Sequence, residues 1–441
     1  MSDYEALLRR VLSLVGEDRR EEIEVEVERR VAEDPRLTRL GALYIVAGEL
    51  GVFEGIKQGS STVALSKLVG GLGSVNIEAR VIGVSRPRRE PPIVYLRLGD
   101  DSGVVDAIAW GDAIRRLEAT GVAIGKSILV KGAYTRERPD GTVEVHLGEH
   151  AEISEARPGL PPLEHFFAEL PDVFEARGAV DFKAVILGFA EARSVSVKGE
   201  DVGVRDLLVG WRGIKAELSL WREHLGLLGE SDIGKTVYVA GAKWSPGGTL
   251  STTSRSSIHI PTLPAQEPIL IKIDRRLPQQ GMLLGITQYG VDRVYSESIR
   301  PGQLISVKKM HYRRVGKGWA IIPLEYELAE AEAEPRPRIQ SIGDLRVGMV
   351  DASVKGEVFS KSPATRLKTK RGETDFSSFW LRDASGSIFC KAWGGAVKML
   401  EEVREGELVA LHFVRIVRNP WGEREVYIGE ESLVAPSGEL A

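Results

Sequence analysis

Hydrophobic and polar residues follow two different periods along this chain. Apolar residues recur at helical spacing in three stretches near the start, Tyr4 to Val15, Glu21 to Ala32 and Leu40 to Leu50. From residue 70 onward, short β-branched and aromatic runs end at clusters of Gly, Asp and Ser, which is typical of strands joined by tight turns. The change of period predicts a small N-terminal helical domain, 1–68, followed by β domains.

One segment of the β region occurs twice. Asp100 to Gly111 aligns without gaps on Asp383 to Gly394, with six of twelve positions identical. Each copy has a strand-like run before it, an Asp-x-Ser-Gly turn, and a strand-like run that ends in tryptophan. Downstream of both copies, a glycine opens a second hairpin that turns at another glycine sixteen residues later. Internal repetition at this scale indicates tandem domains of one kind.

Each full unit consists of three strands, a short helical stretch and a two-stranded hairpin, which is the order of a five-stranded OB-fold barrel. The predicted fold class is mainly β, with tandem five-stranded OB-fold barrels after the helical domain. The third unit lacks the helical stretch and is predicted to be a degenerate, OB-like barrel. The predicted units are 70–157, 174–262, 265–332 and 339–436.

Bulk composition fits this multidomain organisation. A chain of 441 residues is long enough for three or four domains. No apolar run approaches the length that spans a bilayer, so we expect a cytoplasmic, nucleoid-associated protein without membrane contact. Cys390 is the only cysteine, which excludes an intrachain disulfide and a zinc ribbon. Asparagine occurs only twice, as in proteins from hot environments.

Charge argues against a wholly electrostatic nucleic-acid binder, because the formal net charge is −4. Local basic grooves remain compatible with this total. Arg and Lys cluster at 86–89, 308–314 and 361–371. Exposed charge runs are usually only solvated, but the first and last of these clusters fall in the same loop, between strands 1 and 2, of two different units.

A match to the Walker A phosphate-binding pattern occurs at Gly229 to Thr236. A P-loop requires a helix directly after this motif. The following run, Val237 to Trp244, is instead β-branched and aromatic and coincides with the fourth strand of the second barrel. The seven histidines lie at no metal-ligand or nucleophile–base spacing. We therefore expect no enzyme, no metal and no cofactor, with an ATP hydrolase as a minor alternative.

Binding to single-stranded nucleic acid requires aromatic rings that stack on bases and cations that follow the phosphates. In the second strand of the first unit, Val94, Leu96 and Leu98 alternate with Tyr95 and Arg97. If the apolar residues fill the core, Tyr95 and Arg97 face outward. The same alternation in the last unit places Phe379 and Leu381 inward, and Ser378 and Trp380 outward.

Tryptophans recur at the ends of the third strands, as Trp110, Trp221 and Trp393. A core role and a stacking role are both open for them, because large aromatics also dominate barrel cores. Trp421 differs, since it lies at a hairpin turn among charged residues, where stacking is the natural role. The full set of candidate nucleic-acid-binding residues is Arg86, Arg88, Tyr95, Arg97, Trp110, Arg136, Arg138, Trp221, Lys243, Trp244, Tyr312, Arg314, Lys361, Lys368, Trp380, Trp393, Arg418 and Trp421.

The run Val75 to Ser85, followed by Leu98-Gly-Asp-Asp-Ser-Gly103, Ala109-Trp110 and Gly125-Lys126, resembles the DNA-binding OB domains of archaeal replication protein A. The segment Leu40 to Val52 resembles the helical leader of that family. The resemblance implies sequence-tolerant binding of single-stranded DNA in replication, repair and recombination, with polymerase, primase and recombinase as partners. Some relatives carry a zinc finger near the C-terminus, for which this chain lacks the cysteines.

Two other functions remain compatible with the sequence. OB folds also bind RNA, and the contacts to the 2′-hydroxyl that discriminate RNA from DNA cannot be identified here. Degenerate barrels can also form a scaffold for protein–protein contacts, which the acidic net charge and the incomplete third unit favour.

Overall fold

The structure is a computed structural model that describes residues 3–33, 37–50, 62–86, 90–156, 158–245, 248–261, 268–330, 334–369 and 372–436. The helices and barrels are grouped into two larger compact bodies, which we call the first unit and the second unit. The first unit comprises Met1–Phe167 and Ser254–Ser257, and the second comprises Ala168–Thr253 and Ile258–Ala441. The mainly β architecture confirms the predicted fold class.

Three helices open the first unit, as the helical periodicity predicts. They are α1 (Asp3–Val15), α2 (Arg20–Glu33) and α3 (Arg39–Glu49). Their apolar stripes meet in a shared core that contains Leu8, Ile23 and Leu43. The hydroxyl of Thr38 caps α3 by accepting a hydrogen bond from the Gly41 amide at 3.0 Å. No helix in the described part of the chain is long and apolar enough to cross a membrane.

The first barrel follows these helices. It consists of β1 (Val75–Ser85), β2 (Ile93–Asp100), β3 (Gly103–Trp110), α4 (Asp112–Ala119), β4 (Ser127–Glu137), β5 (Val143–Leu147) and β6 (Glu152–Glu155). The first five strands are arranged in the order β1-β2-β3-β5-β4, and β4 pairs with β1 to close the barrel.

The second barrel begins the second unit. Its strands are β7 (Ala168–Glu169), β8 (Ala179–Phe189), β9 (Arg193–Val197), β10 (Glu200–Trp211), β11 (Ile214–Trp221), β12 (Thr236–Trp244), β13 (Leu250–Ser251) and β14 (Ser257–His259). Because strand β12, not a helix, follows the Walker A-like segment, that segment lacks the context of a P-loop.

The third and fourth barrels complete the second unit. The third consists of β15 (Ile269–Arg276), β16 (Met282–Thr287), β17 (Gly290–Tyr295), β18 (Leu304–Val315) and β19 (Gly318–Leu328). The fourth consists of β20 (Ala352–Phe359), β21 (Thr365–Thr369), β22 (Gly372–Asp383), β23 (Gly386–Trp393), α5 (Ala396–Met399), β24 (Leu408–Arg418), β25 (Arg424–Ile428) and β26 (Leu433–Pro436). All four barrels share the 1-2-3-5-4 strand order of the OB fold, including the third.

The repeated Asp-x-Ser-Gly segment is a hairpin turn in both copies. One carboxylate oxygen of Asp100 accepts from the amides of Ser102 and Gly103, at 2.7 and 3.0 Å. Asp383 does the same for Ser385 and Gly386, at 2.7 and 3.1 Å. The repeat therefore reflects backbone capping at the turn between the second and third strands, as expected for Asp at such positions.

The three barrels of the second unit are packed tightly together. One continuous hydrophobic core includes Leu218 of the second barrel and Leu411 of the fourth. Strand β18 of the third barrel pairs in parallel with β8 of the second, opposite Gly188. A side chain at Gly188 would place its Cβ 1.7 Å from the carbonyl oxygen of Tyr312, so this approach requires glycine. The second and third barrels therefore form one extended sheet.

Candidate nucleic-acid interface

The fourth barrel carries three aromatic rings in one row on its outer surface. Register pairs Phe359 of β20 with Trp380 of β22, and Trp380 with Phe389 of β23. The Phe359 and Trp380 rings are nearly parallel, with centroids 6.2 Å apart and an interplanar angle of 26°. The Trp380 and Phe389 centroids are 5.3 Å apart. Because the three positions are directly opposite one another, neighbouring strands present their rings side by side.

The row faces solvent because of strand alternation. Phe379 and Leu381 are fully buried in the core, while Trp380 between them is 37% exposed. This arrangement confirms the predicted inward and outward positions on this strand. On β23, Ile388 and Cys390 likewise point inward and leave Phe389 outside.

Two cations flank the row. The Arg382 guanidinium lies 5.3 Å from the Phe359 ring centroid, and the Lys391 ammonium lies 5.7 Å from the Phe389 centroid. Lys391 also pairs with Glu425 at 2.7 Å, and Arg382 pairs with Glu357 at 3.1 Å. Rings edged by cations are the combination that single-stranded nucleic acid requires. We call Phe359, Trp380, Phe389 and their two flanking cations, Arg382 and Lys391, the aromatic face.

A second aromatic pair lies further along the same strands. Trp393 is directly opposite Phe376, and their ring centroids are 4.7 Å apart. Trp393 is half-buried and lies outside the core cluster, as do Trp110 and Trp221 at the matching ends of β3 and β11. The structure therefore places all three repeated tryptophans at the barrel surface.

The remaining candidates of the fourth barrel lie in its loops and hairpins, and they differ in whether the side chain is free to reach a ligand. Trp421 is 80% exposed at the turn between β24 and β25, and Arg418 is exposed beside it. Lys368 is exposed on the hairpin of β21 and β22. Lys361, in contrast, donates to the carbonyl oxygens of Val403 and Leu400. The Lys361 ammonium is thus bonded to the turns that follow α5, so we leave it out of the interface.

In the first barrel, two of the predicted cations, Arg97 and Arg138, share an acidic partner. Arg97 binds Asp106 at 2.6 Å, and Arg138 binds Asp106 at 2.8 Å and also Glu144. Burial acts to raise the pKa of Asp106, but the charges and hydrogen bonds of the two arginines hold it below its usual value. Both arginines therefore meet ionised carboxylates on the face where the fourth barrel has rings.

Tyr95 faces outward, away from the first-barrel core, but it is only 8% exposed. The guanidinium of Arg255, which belongs to the same unit, lies 4.3 Å from the Tyr95 ring centroid. Arg136 is exposed and lies over the ring of Tyr134 at 5.2 Å. Arg86 is exposed and pairs with Glu118 at 2.8 Å. Arg88 lies outside the described residues.

Two candidates in the second and third barrels, Trp244 and Tyr312, make polar contacts within the second unit. Trp244 donates from its indole nitrogen to the Val173 carbonyl oxygen at 2.8 Å and packs on Phe174. Tyr312 is buried, and its hydroxyl donates to Asp292 at 3.0 Å. A buried ring cannot stack on a base, so Tyr312 does not belong to the interface, whereas Trp244 is only partly buried. Lys243 is exposed.

The same register position has a different use in each barrel. This position lies three residue pairs outward from the turn between strands 2 and 3. In the four barrels, in chain order, it is occupied by Arg97–Asp106, Leu208–Glu217, Leu284–Arg293 and Trp380–Phe389. Leu208 and Leu284 are buried in clusters that join neighbouring barrels, and Arg293 binds Asp351 at 2.7 Å. Among these positions, aromatic rings stand exposed only in the fourth barrel.

Sequence reasoning missed four members of the aromatic face, Phe359, Phe389, Arg382 and Lys391. Phe389 could have been found by counting three pairs outward from the Asp383–Gly386 turn, which leads directly from Trp380 to its partner. Phe359 lies on β20, whose register with β22 is not set by a hairpin turn alone, because the β21 arm intervenes. No short-range signal marks Phe359.

Several solved structures resemble the chain. A replication protein A heterotrimer bound to single-stranded DNA matches 84% of this chain and 95% of its own, at 13% identity and a TM-score of 0.36. The second OB domain of replication protein A from Methanococcus maripaludis matches 23% of this chain and 95% of its own, at 19% identity and a TM-score of 0.20.

A replication factor A related protein from Methanobacterium thermoautotrophicum matches 24% of this chain and 94% of its own, at 24% identity and a TM-score of 0.21. No family model and no curated protein matches the chain.

Proposed function

We propose that this chain binds single-stranded DNA without strong sequence preference, and that the bases of the DNA stack on the aromatic face of the fourth barrel. The observation that carries the proposal is the row of three rings from adjacent strands, with Trp380 exposed at its centre. Every unpaired base offers a flat π surface to such a row, whereas the bases of a duplex are already stacked on each other. The aromatic face therefore favours single strands.

The biological setting that we propose is DNA replication, repair and recombination, where single strands are exposed and need protection. Polymerase, primase and recombinase are the proposed partners, and the cytoplasmic nucleoid is the proposed location. RNA is the competing ligand, because stacking alone does not distinguish deoxyribose from ribose. Competition between oligo-dT and oligo-U for the same site separates the two.

The test is substitution of the central ring. Trp380→Ala removes one stacking surface, which is worth about 1–3 kcal/mol per base, so we expect oligo-dT affinity to fall roughly 5- to 150-fold. Tyr326→Ala is the matched control, because Tyr326 is 38% exposed on the third barrel and lies outside the aromatic face. Fluorescence anisotropy with labelled oligo-dT measures both, and a thermal melt verifies that each variant is folded. Equal loss of affinity in the two variants, or no loss in either, contradicts the proposal.

A further inference from the structure

Three arginines, one from each barrel of the second unit, form a row over two buried carboxylates. Arg193 of the second barrel pairs with Asp206, and Arg314 of the third barrel approaches the same carboxylate at 3.3 Å. Arg314 also lies 3.6 Å from Glu217. Arg415 of the fourth barrel binds Glu217 with both terminal nitrogens, at 2.8 and 3.0 Å. We call Arg193, Arg314 and Arg415 the arginine row.

The carboxylates orient the arginines and leave part of each arginine side chain in solvent. The side chains of Asp206 and Glu217 are each 7% exposed, whereas those of Arg193, Arg314 and Arg415 are 50%, 30% and 31% exposed. Ser219 donates to Asp206 at 2.6 Å, and the Trp319 indole donates to Glu217 at 3.0 Å. A guanidinium has five donors in a rigid fork, so Arg193 and Arg314 keep donors that can bind a phosphate. Arg415 also donates to the Lys317 carbonyl oxygen at 3.1 Å and contributes mainly its positive charge.

Open space lies on both sides of Arg314. A cavity of about 580 Å³ is lined by residues that include the cations Arg193, Arg313 and Arg314 and the acids Glu191 and Asp206. A smaller one of about 200 Å³ is lined by residues that include Arg314, Lys317 and Arg415. Glu431 also lines the smaller cavity, but its carboxylate accepts from the Lys317 amide at 2.8 Å. The Lys317 side chain itself is exposed, and the residues that line the two cavities comprise six cations and four acids.

The arginine row continues into the aromatic face. Arg415 on β24 is opposite Tyr427 on β25, and Tyr427 is in register with Lys391 on β23. Lys391 in turn borders Phe389. One surface therefore runs from Trp380 across β23, β25 and β24 to the hairpin of the third barrel and on to Arg193.

We propose that the arginine row binds the phosphodiester backbone of the same single strand whose bases stack on the aromatic face. The third barrel, whose own strand face is buried, then acts as a bridge that guides the strand from the fourth barrel to the second. This inference rests on the proposed function. It assigns a phosphate-binding role to the barrel that looks most degenerate in sequence.

The test compares short and long oligonucleotides. An OB fold covers roughly 4–16 nucleotides. The affinity for an oligo-dT of about 8 nucleotides therefore measures binding to the aromatic face, whereas an oligo-dT of about 30 nucleotides is long enough to reach the arginine row as well. For Arg193→Gln and Arg314→Gln, we expect unchanged affinity for the short strand and weaker binding of the long one. The slope of log affinity against log salt for the long strand should flatten by about 0.7 for each phosphate that the variant no longer binds.

Arg222→Gln is the matched control, because Arg222 also belongs to the second barrel, is 53% exposed and pairs with Glu200 at 3.5 Å. It should leave both affinities and the slope unchanged. Arg193 is half exposed, so its variant tests the inference even if Arg314→Gln impairs folding. If short-strand binding depends on Trp380 but both arginine variants keep the wild-type salt slope for the long strand, this inference is contradicted while the proposed function stands. Absence of short-strand binding in the wild type overturns the proposed function.

Discussion

Arg97 and Asp106 occupy, in the first barrel, the register positions that Trp380 and Phe389 occupy in the fourth. This ion pair is nearly enclosed, because the Arg97 and Asp106 side chains are only 12% and 15% exposed, so Arg97 is much less accessible to a phosphate than the ion-paired arginines of the arginine row. Two rings at the same position have no such internal partner and can accept a base directly. The first and fourth barrels share one backbone fold, and the side chains at these two positions determine whether the face is closed by an ion pair or open for base stacking.

His412 provides a residue-scale prediction about pH. It is fully buried on β24, and its Nδ1 lies 2.9 Å from the Ser353 hydroxyl. Burial, and then the charge of Arg275, lowers the pKa of His412 to about 4 from an ordinary value of 6.5. Between these values the unfolded chain binds the proton more readily than the folded one. The free energy of unfolding should therefore fall as pH drops from 7 to 4, by about 3 kcal/mol from this group.

The measurement is chemical denaturation of the wild type and His412→Gln across that pH range. Other groups titrate in both proteins, so the informative quantity is the difference between their unfolding free energies at each pH. We expect the difference to shift by about 3 kcal/mol in favour of the variant as the pH falls. A difference that stays constant contradicts the buried, neutral state of His412.

At the scale of the elements, local patterns were sufficient for most of the fold. The three helices, the Asp-x-Ser-Gly turns and the outward position of Trp380 follow from period and turn chemistry. The third barrel closes in the same strand order although it lacks a helix between β17 and β18. The helical stretch is therefore dispensable for closure, and its absence from the sequence does not indicate an open barrel.

The hairpin of β24 and β25 carries the element-scale prediction. The Asn419 side chain accepts from the amides of Trp421 and Glu423, at 3.1 and 2.9 Å, and fixes the turn without help from the Trp421 ring. Because that ring is 80% exposed, Trp421→Ala should change the free energy of unfolding by no more than about 0.5 kcal/mol. It should still weaken oligo-dT binding at least about fivefold if the ring stacks on a base.

Trp421→Phe keeps an aromatic surface at this turn and serves as the control, with most of the affinity retained. Anisotropy titrations and urea denaturation measure the two quantities separately. Wild-type affinity in Trp421→Ala would remove this hairpin from the interface while leaving the aromatic face untouched.

At the scale of the second unit, the contacts that matter join residues far apart in sequence. Glu217 and Arg415 are bound to each other across two barrels, and Trp319 donates to the same carboxylate from a third. No local period or motif encodes such a junction. For this reason the sequence suggested a surface role for Tyr312, which the structure buries within the unit.

The junction also explains why the barrels differ in function although they share one fold. The strand faces of the second and third barrels are used for packing within the unit, and only the fourth barrel keeps its face open with three rings. The scaffold role that the sequence left open thus fits these two barrels in part, as a support for the surface beside them.

The measurement that tests the central claim most directly is a titration of intrinsic tryptophan fluorescence with oligo-dT and with a duplex of equal length at the same salt concentration. Stacking of bases on Trp380 predicts strong quenching by the single strand and clearly tighter binding than to the duplex. The log affinity for the single strand should fall with log salt at about 0.7 per phosphate contacted. Equal affinity for single strand and duplex, or binding without quenching, would contradict the account.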